Sequence, residues 1–147
     1  MSHTINQVED AVAAALNAAP LNTYCKRFEK FDSQFDIEDL ERNLGPLPAC
    51  FVAYLDDDSR EVTQGVTYMD RMRIAVITAA RNLRGGVEAK TGTSGTNEML
   101  NDVKNLLHKS TLGLSGVAGM ALISRRPIIT TKTLSVWQAT FELEFVD

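Results

Sequence analysis

Histidine is nearly absent from this chain, with only His3 and His108, and cysteine is as scarce, with only Cys25 and Cys50. A serine or cysteine nucleophile paired with histidine would have to be built around one of those two imidazoles, and nothing beside either points to one. His3 lies in an opening stretch expected to be mobile, and His108 is placed to complement the end of a helix. The cysteines are too far apart for a C-x-x-C pair, so they read as small buried hydrophobes rather than as a disulfide. Basic charge is also short. Fifteen Lys and Arg face nineteen Asp and Glu, leaving a net charge of −4, so no global field draws the chain onto nucleic acid or anionic lipid. Long apolar runs are missing, and none approaches the length that spans a membrane. The opening "MSHTINQVEDAVAAALNAA" lacks a basic n-region and is broken by Glu9 and Asp10. The expectation is therefore no signal peptide and a chain made and kept in a cytoplasm. There are no internal repeats and no low-complexity tracts.

What is present is an ordinary globular composition, 44% hydrophobic and 23% charged over 147 residues, enough for one domain with its own core. Thr4 and Gln7 form a capping box ahead of a stripe of Ile5, Val8, Val12, Ala15 and Leu16, and Pro20 stops the helix soon after Ala18. The mixed aromatic and charged segment 22–31 reads as a first strand. Asp36 then caps a short helix with Ile37, Leu40 and Leu44 inward, ended by Gly45 and Pro46. "ACFVAYL", 49–55, is apolar on both faces and reads as a central strand. Asp56, Asp57 and Asp58 look like a hairpin tip leading to a third strand within "TYMDRMRIAVITAA". A further helix spans about 97–108, with Thr96 as cap and Leu100, Val103, Leu106 and Leu107 as its buried stripe. "TLGLSGVAG" reads as a flexible connection, and "MALISRRPII" as a strand or strand pair interrupted at Pro127. In "VWQATFELEF", Trp137, Ala139, Phe141, Leu143 and Phe145 alternate with Val136, Gln138, Thr140, Glu142 and Glu144, the period of a half-buried strand with Trp137 and Phe141 expected in the core. The fold class this implies is α+β: a single domain, 1–147, with a mostly antiparallel sheet packed by the N-terminal helix and the helix near 97–108.

One stretch invites a chemical reading. "RGGVEAKTGTSGTNEMLNDVKNLL", from Arg84, sets a glycine-rich loop carrying Lys90 and Thr91 directly before that last helix. The phosphate-loop pattern G-x-x-x-x-G-K-[ST] is incomplete, because Ala89 rather than glycine precedes Lys90. Lys90 also stands several residues ahead of the helix start, where the backbone N–H groups would have to meet phosphate. The aspartate run could offer oxygens to a divalent cation, but a hairpin tip of this kind is usually just solvated. Arg125 and Arg126 read first as charges that keep a strand edge from stray pairing. No cofactor is expected. Composition and pattern favour an interaction protein over an enzyme.

The segment "NLRGGVEAKTGTSGTNEMLNDVKNLL", preceded by "RIAVITAA" and followed by "WQATFELEFVD", resembles the small tail proteins of Mu-like contractile-tailed phages and prophages. The order of elements is similar to the tail-terminator, or tail-completion, fold of long-tailed phages. That resemblance implies a non-enzymatic protein that forms a ring with itself, commonly a hexamer. Such a ring caps the tail tube protein and offers the surface that joins the head–tail connector, with DNA only passing through and no membrane involved. It implies a place in the virion tail, and in the host cytoplasm during assembly. The candidate assembly surface is then the loop residues Arg84, Gly85, Gly86, Lys90, Thr91, Gly92 and Gly95, with Asp56, Asp57, Asp58, Arg125 and Arg126. Two alternatives stand beside it: another head–tail or neck adaptor of the virion, and an unrecognised nucleotide- or nucleic-acid-binding module.

Overall fold

A computed structural model describes residues 4–25, 27–30, 47–63, 67–81, 95–114, 116–131 and 134–146. Helix α1 (Ile5–Leu16) opens on the expected capping box: Thr4 Oγ1 accepts from the Gln7 N–H at 3.1 Å, and Gln7 Oε1 accepts from the Thr4 N–H at 2.9 Å. Its stripe of Val8, Val12 and Leu16 is fully buried, but Ile5, one turn earlier, is exposed. The segment expected as a first strand is mostly something else. Leu21–Thr23 is a single 3-10 turn, and only β1 (Phe28–Lys30) is extended. The helix expected over 36–45 lies outside the described residues.

Four long strands follow: β2 (Ala49–Thr63), β3 (Thr67–Arg81), β4 (Val117–Thr130) and β5 (Leu134–Val146), with helix α2 (Thr96–Leu107) between β3 and β4. They form one sheet in the order β1-β2-β3-β5-β4, antiparallel throughout except that β1 runs parallel to β2. The α+β class with a sheet-dominated domain is thus what the sequence implied. β5 is inserted between β3 and β4, pairing with β3 along its whole length and with β4 on its other side. β4 is one continuous edge strand that passes through Pro127, rather than a pair broken there. An edge position tolerates the missing N–H, and the register shifts between Pro127 and Ile129. The connection before it is shorter than "TLGLSGVAG" suggested, since residues 117–119 already belong to β4. Gly119 has φ +117°, and a Cβ there would stand 3.4 Å from the Lys109 carbonyl oxygen, so glycine lets the two backbones meet.

Both helices cover one face of the sheet. On that side Val8, Val12, Leu16, Met99, Leu100, Val103 and Leu107 pack over Val52, Ile74, Val76, Ala139, Phe141, Leu143 and Phe145. Cys25 and Cys50 are buried there as free thiols with their sulfurs 3.9 Å apart, a proximity their spacing did not reveal. Cys25, together with burial, pushes the Cys50 thiol well above its ordinary range. On the opposite face Ala49, Phe51, Ala53, Ala75, Ile77, Ala79, Ile129, Leu134 and Val136 form a second buried apolar cluster. The even-numbered face of β5 is therefore apolar at its start and polar only further along.

The segment after α1 is tied to α2 by a hydrogen bond from the Tyr24 hydroxyl to Asp102 Oδ2. Burial first, and then the Asp102 carboxylate, hold the Tyr24 phenol far above its ordinary pKa of 10. The unfolded chain releases that proton at lower pH than the folded one. The stabilisation is therefore complete below pH 10 and is lost as pH climbs past it.

Two outcomes are expected. Phe141→Ala, at a fully buried site, should lower stability by about 3–5 kcal/mol in denaturant unfolding. Tyr24→Phe should cost about 1 kcal/mol at neutral pH, and its melting temperature should fall less steeply than the parent's as pH is raised above 10.

Candidate functional site

Of the loop that carries Lys90, only the anchoring points are described. β3 ends at Arg81, whose partner across the strands is Leu134, and α2 begins where Thr96 shares a 2.8 Å hydrogen bond with the Ser135 hydroxyl. The two ends of residues 82–94 are thus fixed side by side on the first residues of β5. Gly95, rather than Thr96, is the N-cap of α2, with extended backbone and its carbonyl accepting from the Met99 N–H at 3.1 Å. Thr96 is drawn inward instead, because its hydroxyl is buried and its partner lies on the sheet. Gly95 is buried; Arg84, Gly85, Gly86, Lys90, Thr91 and Gly92 lie outside the described residues.

The aspartates are not at a hairpin tip. Asp56, Asp57 and Asp58 lie within β2, opposite Arg73, Met72 and Arg71, because β2 continues to Thr63 before the chain turns. Strand pairing explains why three adjacent acids are tolerated there. Alternation sends Asp56 and Asp58 to the face away from the helices, where Arg71 and Arg73 of β3 and Glu142 and Glu144 of β5 share their rungs. Arg73 is the hub. Its guanidinium lies 2.7 Å from Asp56, 3.6 Å from Asp58 and 3.4 Å from Glu142. Asp56 first, then the other carboxylates, raises the Arg73 pKa further above its already high value. Arg71 Nε stands 3.5 Å from both Glu142 and Glu144, an ion-pair contact without a hydrogen bond. Asp57 faces the helix side, where it accepts from the Tyr54 hydroxyl at 2.7 Å and, with burial, pushes that phenol up to about 12.

The arginine doublet is split as adjacent strand residues must be. Arg125 is level with Ala139 on the helix face, and Arg126 is level with Gln138 on the other. Both are exposed, and among the described residues neither forms an ion pair. Arg125 lines a cleft of ≈ 400 Å³ with Asn97, Leu100 and Asn101 of α2 and Trp137 of β5. Trp137, expected as core, is therefore half-buried at the rim of this cleft, while Phe141 is core.

Among the described residues the outer edge of β4 is covered only at its start. The Lys109 N–H donates to the Met120 carbonyl at 2.6 Å, the Met120 N–H to the Ser110 carbonyl at 2.9 Å, and the Leu122 N–H to His108 Nδ1 at 3.3 Å. His108 Nδ1 thus serves as an acceptor that pins β4. From Ile123 onward, no strand among the described residues pairs with that edge. Beyond Val52, likewise, no described residue pairs with the outer edge of β2. Among the described residues no group of three or more His, Cys, Asp or Glu is arranged to hold a metal, and no helix is long and apolar enough to cross a membrane.

Among the described residues the arrangement is that of a surface, with charge on a sheet whose two edges are partly uncovered. A chain in the virion of a native gene transfer agent particle has the same fold, with a TM-score of 0.62 at 13% identity, covering 99% of this chain and 100% of that one. Among curated proteins none matches this chain in sequence. The model of the family described as "Bacteriophage Mu, Gp37" matches residues 4–146. With every described helix and strand inside that match, the chain belongs to the bacteriophage Mu Gp37 family, and is a Mu-like phage tail protein.

Proposed function

We propose that this tail protein is a non-enzymatic tail terminator: a ring of identical copies, six in number, that caps the finished tail tube and presents the surface to which the head–tail connector is joined. The observation that carries the reading is a sheet within a phage tail family whose two flanks are only partly paired among the described residues, since unpaired strand edges are surfaces for other chains. The net charge of −4 and the carboxylate-rich lattice suit a ring through which DNA passes without sticking. The loop from Arg84 to Gly95, which in sequence lies between Arg81 and Thr96, each set against the start of β5, is taken in this reading as a contact to a neighbouring copy or to the tube. The protein acts in the host cytoplasm during assembly and ends in the virion tail.

Light scattering on the purified protein, alone and with tube protein, tests the reading. A ring mass and capped tubes of uniform length are expected. Binding to the connector with no effect on tube length would mark it as a neck adaptor instead.

Shortening "EAKTGTS" within the loop should leave the melting temperature nearly unchanged, because closure entropy varies slowly with loop length. The same variant should yield tails of uncontrolled length in electron micrographs. Saturable ATP or GTP binding by the parent protein, lost in Lys90→Ala, would replace this assignment with the phosphate-loop reading.

A further inference from the structure

Among the described residues the sheet has two uncovered edge stretches, and they carry opposite charge. β2 beyond Val52 presents Asp56, Asp57 and Asp58, all exposed, and β4 beyond Leu122 presents Arg125 and Arg126, also exposed. Each edge also carries one exposed aliphatic side chain at a break in register. Leu55 is the extra residue between the pairs Tyr54–Ile74 and Asp56–Arg73. Ile123 is the extra residue between Leu122–Phe141 and Ser124–Thr140, and it is 50% exposed. Apart from Ile5, these are the exposed large hydrophobic residues of the described chain.

We infer that the occupant of each edge is a second copy of this chain, with the Leu55–Asp58 edge of one copy set against the Ile123–Arg126 edge of the next. This rests on the ring-forming reading above and names the surface through which the ring would form. Charge sign decides the mode of pairing. Two β2 edges brought together would oppose aspartates to aspartates, and two β4 edges would oppose arginines to arginines, both unfavourable for directly facing residues. That leaves the unlike edges. A contact between two different patches is head-to-tail and propagates, closing into a ring where the rotation allows, whereas like-to-like contacts stop at a dimer.

The bulges make the contact selective. A kinked edge deters any flat strand from adding by backbone pairing alone, so the partner is chosen by its side chains. The aliphatic residue at each bulge supplies apolar area beside the charges, and the unpaired Arg125 and Arg126 are satisfied by a neighbour's carboxylates.

The register also fixes an offset. Through Met72, Asp57 is level with Leu143 of β5, whereas Arg125 is level with Ala139, four residues away along the same strand. Matching the charges therefore slides adjacent copies by about 13 Å along the strand direction, at about 3.3 Å per residue.

Charge exchange tests this directly. Arg125→Glu with Arg126→Glu makes both edges acidic, and Asp57→Lys with Asp58→Lys makes both edges basic. Each variant alone should associate about tenfold or more weakly than the parent in sedimentation and light scattering. A one-to-one mixture should recover assembly, because alternating copies again oppose unlike edges. Parent assembly should weaken as salt is raised. Circular dichroism identifies any variant that does not fold. Arg125→Ala with Arg126→Ala, which removes exposed side chains without an ion-pair partner among the described residues, replaces one that fails, and should also weaken association. Variants that assemble alone as the parent does would overturn the edge contact and leave the ring reading standing. Monomeric variants that the mixture does not rescue would overturn it too. A parent that stays monomeric at every concentration, with tube protein present, would overturn both.

Discussion

Side chains along a strand alternate between two faces, and β5 uses that alternation to meet three demands at once. Its odd-numbered residues, Ala139, Phe141, Leu143 and Phe145, form the floor on which α1 and α2 rest. Its even-numbered residues begin apolar, with Leu134 and Val136 in the second cluster, pass through Gln138 bonded to Thr140, and end in the carboxylates of Glu142 and Glu144. Because β5 lies between β3 and β4, a slip of one residue would turn Phe141 outward and bring Glu142 under the helices. The register that buries the core is therefore the same register that aligns Glu142 and Glu144 with Arg73 and Arg71.

The ion lattice follows from that alignment rather than creating it. Four carboxylates surround two guanidinium groups, so the patch remains acidic after pairing, and the arginines hold the acids in place without cancelling them. At partly exposed sites such pairs contribute little to stability. What they provide is order: an acidic surface with fixed spacing on a rigid sheet, suited to recognition by a charged partner.

Much of this was legible in the sequence, and the failures have physical causes. Period two in 136–145 identified β5, and the Thr4–Gln7 capping box placed the start of α1, because both are local patterns. The lattice was also written locally, as Asp56-x-Asp58, Arg71-x-Arg73 and Glu142-x-Glu144. Only the rungs that join them are long-range, and reading the aspartates as a turn hid the match. Segment 22–31 misled because aromatic and charged residues suit a turn against a helix as well as a strand. Thr96 looked like a cap, since sequence cannot show that Ser135 competes for its hydroxyl. Pro127 looked like a break until β4 proved to be an edge. The cleft at Arg125 and Trp137 depends on how α2 crosses the sheet, which no single segment encodes.

The insertion of β5 between β3 and β4 has a kinetic consequence. Of the described elements β5 is synthesised last, yet it fills the middle of the sheet, so β3 presents a bare inner edge until the final strand arrives. Pairings that span this much sequence form slowly. A bare β3 edge is open to capture by another molecule's β5 before its own can insert, an exchange of strands between nascent copies. The short β4–β5 turn counters this. It delivers β5 already zipped to β4, as a hairpin whose free side accepts only the one remaining partner.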